Sequence, residues 1–130
     1  MMRRKQIALT LALVLATPTA ANAKPGDPTV QSLLQECSAE EGSTDWFKCV
    51  GYIAGVSDIM GINGKLSATF GKDTYIKMSV ISMCWDGEVP TYGAKLQAFK
   101  NWAQNHPEEW SELSFVGVTH AMRETWPCKY

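Results

Sequence analysis

Four cysteines, Cys37, Cys49, Cys84 and Cys128, constrain this chain more than any other feature. Their successive spacings are 12, 35 and 44 residues. A zinc site needs close pairs such as C-x2-C, and none is present. A catalytic thiol would leave an odd cysteine without a mate. An even number in a small exported domain reads as two disulfides.

The N-terminus supplies the export signal that this reading needs. Arg3, Arg4 and Lys5 precede the apolar run "IALTLALVLA", Ile7 to Ala16, and Ala21-Asn22-Ala23 is an A-x-A cleavage site. That pattern is a secretory signal peptide, too short to span a membrane. The expected organisation is a signal peptide over 1–23 and a single domain over 24–130. The expected compartment is the periplasm. Removing the leader leaves nine Lys and Arg against thirteen Asp and Glu, a net charge of -4. A mildly acidic chain is a poor match for nucleic acid or anionic lipid, so neither nucleic acid nor membrane is expected as a partner. A basic protein surface suits it better.

Periodicity points to a helical fold. Asp27 and Pro28 form a cap-then-proline pair that opens a first helix over about Thr29–Ala39, with Val30, Leu33, Leu34 and Cys37 on one face. Ser43 or Thr44 caps a second helix whose apolar face is Trp46, Cys49, Val50, Ile53, Val56 and Met60. "GING", Gly61 to Gly64, reads as its end. Residues 65–83 read as an irregular excursion with a turn or more of helix. Thr91 caps a third helix, about Tyr92–Gln104, with Leu96, Phe99, Trp102 and Ala103 inward. Pro107 interrupts, and a fourth helix follows over about Ser111–Thr125. Its inner residues are expected to be Phe115, Val118, Met122 and Trp126.

The cysteine pairing follows from this order. The last two helices share a short connection and should be antiparallel neighbours. Cys84 before them and Cys128 after them then lie at the same open end. Cys37 and Cys49 face each other across one turn. The expected fold is an all-α bundle of about four helices stapled by Cys37–Cys49 and Cys84–Cys128.

Chemistry is scarce. His106 sits beside a proline in a turn and His120 lies in a helix, both ordinary structural positions. There is no serine elbow, HExxH motif or glycine-rich phosphate loop. Glu108, Glu109 and Glu112 are explained by a helix start. No catalytic residue, metal ligand or cofactor site is expected. Of the five tryptophans, Trp46, Trp102 and Trp126 fall at helical spacing. Trp85 and Trp110 do not; an exposed tryptophan suits an interface, and Trp85 is equally open to packing over a disulfide.

The second helix poses a question. Gly51 and Gly55 lie on one face of it, and glycine inside a helix costs about 1 kcal/mol relative to alanine. Two explanations stand: close packing of another helix, or a flat seam for a dimer or partner. Asp58, one turn further on, reads as a solvated or capping carboxylate.

Taken together these residues resemble a known family. "C-x-GYI-x-GV-x-D" (Cys49, Gly51, Tyr52, Ile53, Gly55, Val56, Asp58), a cysteine before a proline turn, "NHPEEW" and "ETWPC" occur in the order of the Rap/Tai immunity proteins. The likeness runs from about Leu33 to Cys128. It departs in "CWDGEVPTYGAKLQ", where four extra residues precede "VP". The resemblance implies a small helical periplasmic protein, commonly a homodimer. It further implies binding to a type VI secretion peptidoglycan amidase effector, with the active-site cleft blocked. With the helices committed to scaffold, the excursion from Asn63 to Thr74 is the expected effector-binding loop, carried by Lys65, Leu66, Phe70, Lys72 and Asp73. A periplasmic acid-stress chaperone of the HdeA type is the competing reading. A charged fraction of 19% and two staples, which would limit opening, count against it.

Overall fold

The computed structural model describes residues 24–70 and 81–129, with no side-chain description at Phe70. Among the described residues four α-helices make the fold: α1 (Val30–Cys37), α2 (Thr44–Phe70), α3 (Tyr92–Asn105) and α4 (Ser114–Thr125). A 3-10 turn, Pro107–Glu109, links α3 to α4. Among the described residues there is no strand, only an isolated bridge between Thr29 and Leu113.

The fold class and both disulfides are as expected. Cys37 pairs with Cys49 and Cys84 with Cys128, with Cα separations of 5.0 and 4.8 Å. The first staples the end of α1 to the second turn of α2. The second joins the segment before α3 to the chain after α4.

α1 starts two residues later than the proline suggests. Thr29, not Asp27, is its N-cap: the Thr29 hydroxyl accepts from Ser32 N, and Ser32 Oγ accepts from Thr29 N. Val30 N and Gln31 N, orphans of the first turn, donate to the Glu112 and Trp110 carbonyls at 2.9 and 3.1 Å. Ser114 N returns a bond to the Pro28 carbonyl. The loop before α4 therefore caps α1, and that is why α4 begins only at Ser114.

One core joins all four helices. Val30, Leu33, Ile53, Met60, Met83, Phe99, Trp102, Val118 and Met122 are buried in it, together with Cys37 and Cys49. Phe115, expected inside, is instead 44% exposed. Small residues take the inward positions on α4: Ser114, Gly117 and Ala121 are buried. A Cβ on Gly117 would strike Val30 and press on Trp102, so this glycine sets how closely α4 approaches α1 and α3.

The largest correction concerns α2. "GING" does not end it; the helix continues for 27 residues to Phe70. Its glycines are kept helical by tertiary contacts. The Gly61 Cα faces the Trp85 ring, and Gly64 lies directly under the Met83 carbonyl and beside the Cys84 sulfur. Asn63 Nδ2 donates to the Ile81 carbonyl at 3.0 Å, and Met83 N donates to the Met60 carbonyl at 3.1 Å. The returning chain is thus laced along α2 where a break was expected.

Candidate interaction surface

α2 is apolar nearly all round. A helix of that kind is normally covered on every side, yet one side of this helix is bare. Cys49, Ile53, Ser57, Met60, Gly64 and Ser67 face the core. Phe47, Gly51, Gly55, Ile59, Ile62 and Leu66 face outward. The four large side chains among these are 60, 56, 54 and 39% exposed. Their spacing follows the pitch of the helix, so they form a strip along it and not a scatter.

The two glycines sit in the middle of this strip. Among the described residues no atom outside the local helix backbone lies within 4 Å of where a Cβ would be at either position. Packing among the described residues therefore does not explain Gly51 and Gly55. That role belongs to Gly61, Gly64 and Gly117. The pair leaves a shallow notch open to the outside, which agrees with the seam or partner-seat alternative.

Asp58 is not a free carboxylate. Tyr92 Oη donates to its Oδ2 at 3.0 Å and Lys95 Nζ to its Oδ1 at 3.3 Å. The Lys95 side chain is only 4% exposed, whereas Asp58 is 51% exposed. The ammonium also lies 4.7 Å from the Tyr92 ring centre. This triad ties α3 to α2 and draws the charge on the strip toward α3. The hydrogen bond to Asp58, and then its negative charge, hold the Tyr92 hydroxyl above its usual pKa. Burial does the same for Tyr52, against a weaker effect from Ser114.

The other charges near the strip are also engaged. Lys48 pairs with Asp45 at 2.8 Å, a contact that raises the Lys48 pKa. Lys65 leans the other way, its Nζ 5.6 Å from the Trp85 ring centre.

The expected loop is resolved differently by the helix. Lys65 and Leu66 lie on the last turns of α2, and Phe70 is its final residue. Leu66 faces the bare strip. Lys65 borders a cleft of about 500 Å³ that also touches Trp85, Glu88, Trp126 and Lys129. Lys72 and Asp73 lie outside the described residues. Trp85 is half-buried beside the second disulfide, and Trp110 is fixed by its Nε1 donating to the Ala103 carbonyl at 2.7 Å. Both tryptophans that did not fit a helix face are thus packing residues in part.

Both histidines contact Trp102. His106 stacks on it at 4.5 Å and donates from Nδ1 to its carbonyl; His120 meets its edge at 5.5 Å. Neither is placed beside a nucleophile. Among the described residues no cluster of His, Cys, Asp or Glu could hold a metal ion. No helix among them is long and apolar enough to cross a membrane.

The geometry describes a stapled scaffold presenting a surface for contact. The model of the Rap1a immunity proteins matches residues 29–128, which is α1 to the second disulfide and everything between. The chain belongs to the Rap1a immunity protein family. No curated protein and no solved structure matches it. Membership implies a partner, a secreted effector, in a family that is generally non-catalytic. The sequence reading names Gly51, Gly55 and Asp58 but not Lys95 and Tyr92, which hold Asp58, nor the exposed Phe47, Ile59 and Ile62. The helical spacing of these apolar residues outside the inner face was the available signal.

Proposed function

We propose that this chain is a periplasmic immunity protein that works as a homodimer. It binds a type VI secretion peptidoglycan amidase effector and blocks its cleft. The match to the Rap1a immunity family over residues 29–128 carries this reading. The amidase, the secretion system and the dimer come from the Rap/Tai resemblance; the compartment follows from the leader over 1–23 and from two disulfides that need an oxidising environment. The leader lies outside the described residues and is cleaved, in this reading, after Ala23.

The effector contact is at the end of α2. Lys65, held against Trp85 at the rim of the cleft, begins it, and Phe70, Lys72 and Asp73 continue it in sequence. A rigid helix end beside a disulfide is a suitable base for such a contact, since neither partner then pays much ordering entropy.

The test is protection. A type VI secretion peptidoglycan amidase is directed to the periplasm of a sensitive host, with and without the chain. Co-production of the full chain should prevent lysis, and removing residues 1–23 should abolish protection. Lysis at the same rate with the exported chain present contradicts the reading.

A further inference from the structure

We propose that the bare strip of α2 seats the same strip of a second copy, antiparallel, about a two-fold axis passing between Asp58 and Ile59. This rests on the homodimer part of the function proposed above and adds its register and contact residues.

The strip is complementary to itself. In an antiparallel pair, residues equidistant from the axis face each other. Gly55 lies three residues before Asp58, and Ile62 lies three after Ile59. Gly51 lies seven before Asp58, and Leu66 seven after Ile59. Each glycine of one copy therefore faces an exposed aliphatic side chain of the other, Gly55 opposite Ile62 and Gly51 opposite Leu66. Two-fold symmetry repeats both seatings, giving four knobs in four notches. The register centred on Gly55 does worse. It sets Lys48 against Ile62 and Leu66 against Thr44, and fills only Gly51, with Ile59.

The rest of the strip agrees. Among the described residues nothing occupies the space over Gly51 and Gly55, so a second helix can approach closely. Asp58 would meet its symmetry mate near the axis, but Lys95 and Tyr92 hold its carboxylate toward α3. Lys65 leans away onto Trp85, and Lys48 is paired with Asp45. The strip from Phe47 to Thr69 is about 33 Å long at 1.5 Å per residue and about half a helix circumference wide. That is on the order of 600 Å² per partner, the small end of stable interfaces, so the dimer should exchange with monomer.

Sedimentation of the exported chain over a concentration series tests the dimer, and cysteine pairs test the register. The wild-type chain should show a monomer–dimer equilibrium. The Gly51→Leu, Gly55→Leu double variant should weaken the dimer at least roughly tenfold. At a concentration where the wild-type chain is monomeric, its helix content and melting temperature should not fall, because both positions are open within one copy. Mixed under mild oxidation, Gly55→Cys should link to Ile62→Cys, and Gly51→Cys to Leu66→Cys, while Gly51→Cys with Ile59→Cys should not link. A monomer at every concentration overturns the proposal together with the homodimer reading. A dimer that ignores the leucines, or links Gly51→Cys to Ile59→Cys, overturns this seam and leaves the homodimer standing.

Discussion

At the scale of single residues the Asp58–Lys95–Tyr92 triad is a polar contact whose energy a substitution can expose. The Lys95 ammonium is buried and Asp58 is its ion-pair partner. Asp58→Ala leaves that charge without its counter-ion and should cost about 2 kcal/mol, less than a fully buried pair because the carboxylate is half in water. Adding Lys95→Met removes the stranded charge and should recover most of the loss. Urea midpoints of the two variants check this; equal destabilisation would mean that Lys95 finds another partner. The tyrosines set an alkaline limit. Both Tyr92 and Tyr52 have raised pKa values in the folded chain, so the folded state holds their protons more tightly than the unfolded state. Their contribution is complete below the ordinary tyrosine pKa of about 10 and is lost as pH climbs through the folded values. Melting temperature should decline above about pH 10, and less steeply in Tyr92→Phe, where that titration is absent. The cysteine pairing could be reasoned from sequence because it depends only on helix order. Lys95 could not, since a buried lysine is rational only once a carboxylate 37 residues away is known to sit beside it.

At the scale of elements, α2 decides both the fold and the surface. Its length was hidden by "GING", a run that by local chemistry alone ends a helix. The contacts that override it come from Trp85, Met83 and Ile81, across a connection whose reading was ambiguous. The glycines on α2 then divide into two kinds with opposite responses. Gly51→Ala and Gly55→Ala each replace a poor helix former at an open site and should raise stability by up to about 1 kcal/mol. Gly64→Ala drives a methyl group into the Met83 carbonyl, a backbone atom that cannot swing aside, and should cost about 2 kcal/mol or more. Chemical denaturation of the three variants, at a concentration that keeps the chain monomeric, reads both signs. The outer residues of α2 were harder to recognise from sequence than its core face. An apolar residue reads the same whether it is covered by its own chain or left for a partner.

At the scale of the whole molecule the staples make the scaffold rigid enough to present that surface. By the chain-entropy model the bridge spanning 44 residues contributes about 4 kcal/mol and the one spanning 12 about 3 kcal/mol. These are large against the 5–15 kcal/mol typical of a domain. Replacing Cys84 and Cys128 together by alanine should lower the melting temperature more than replacing Cys37 and Cys49. The reverse order would show that local geometry outweighs loop length. Fold and family were legible in the sequence because cysteine spacing and the GYI-x-GV-x-D run survive as linear patterns. The exposed strip of α2 was not, because it is assembled from residues spread over several turns of one helix. The proposed function has this scaffold inhibit an enzyme by occupying its cleft. The direct measurement is hydrolysis of purified peptidoglycan by a type VI secretion amidase, titrated with the chain. Activity should fall linearly to zero at a fixed small-integer ratio of chain to enzyme, and a Lys65→Glu variant should need excess protein to reach the same loss. Full activity at a large excess of folded, disulfide-bonded chain would contradict it.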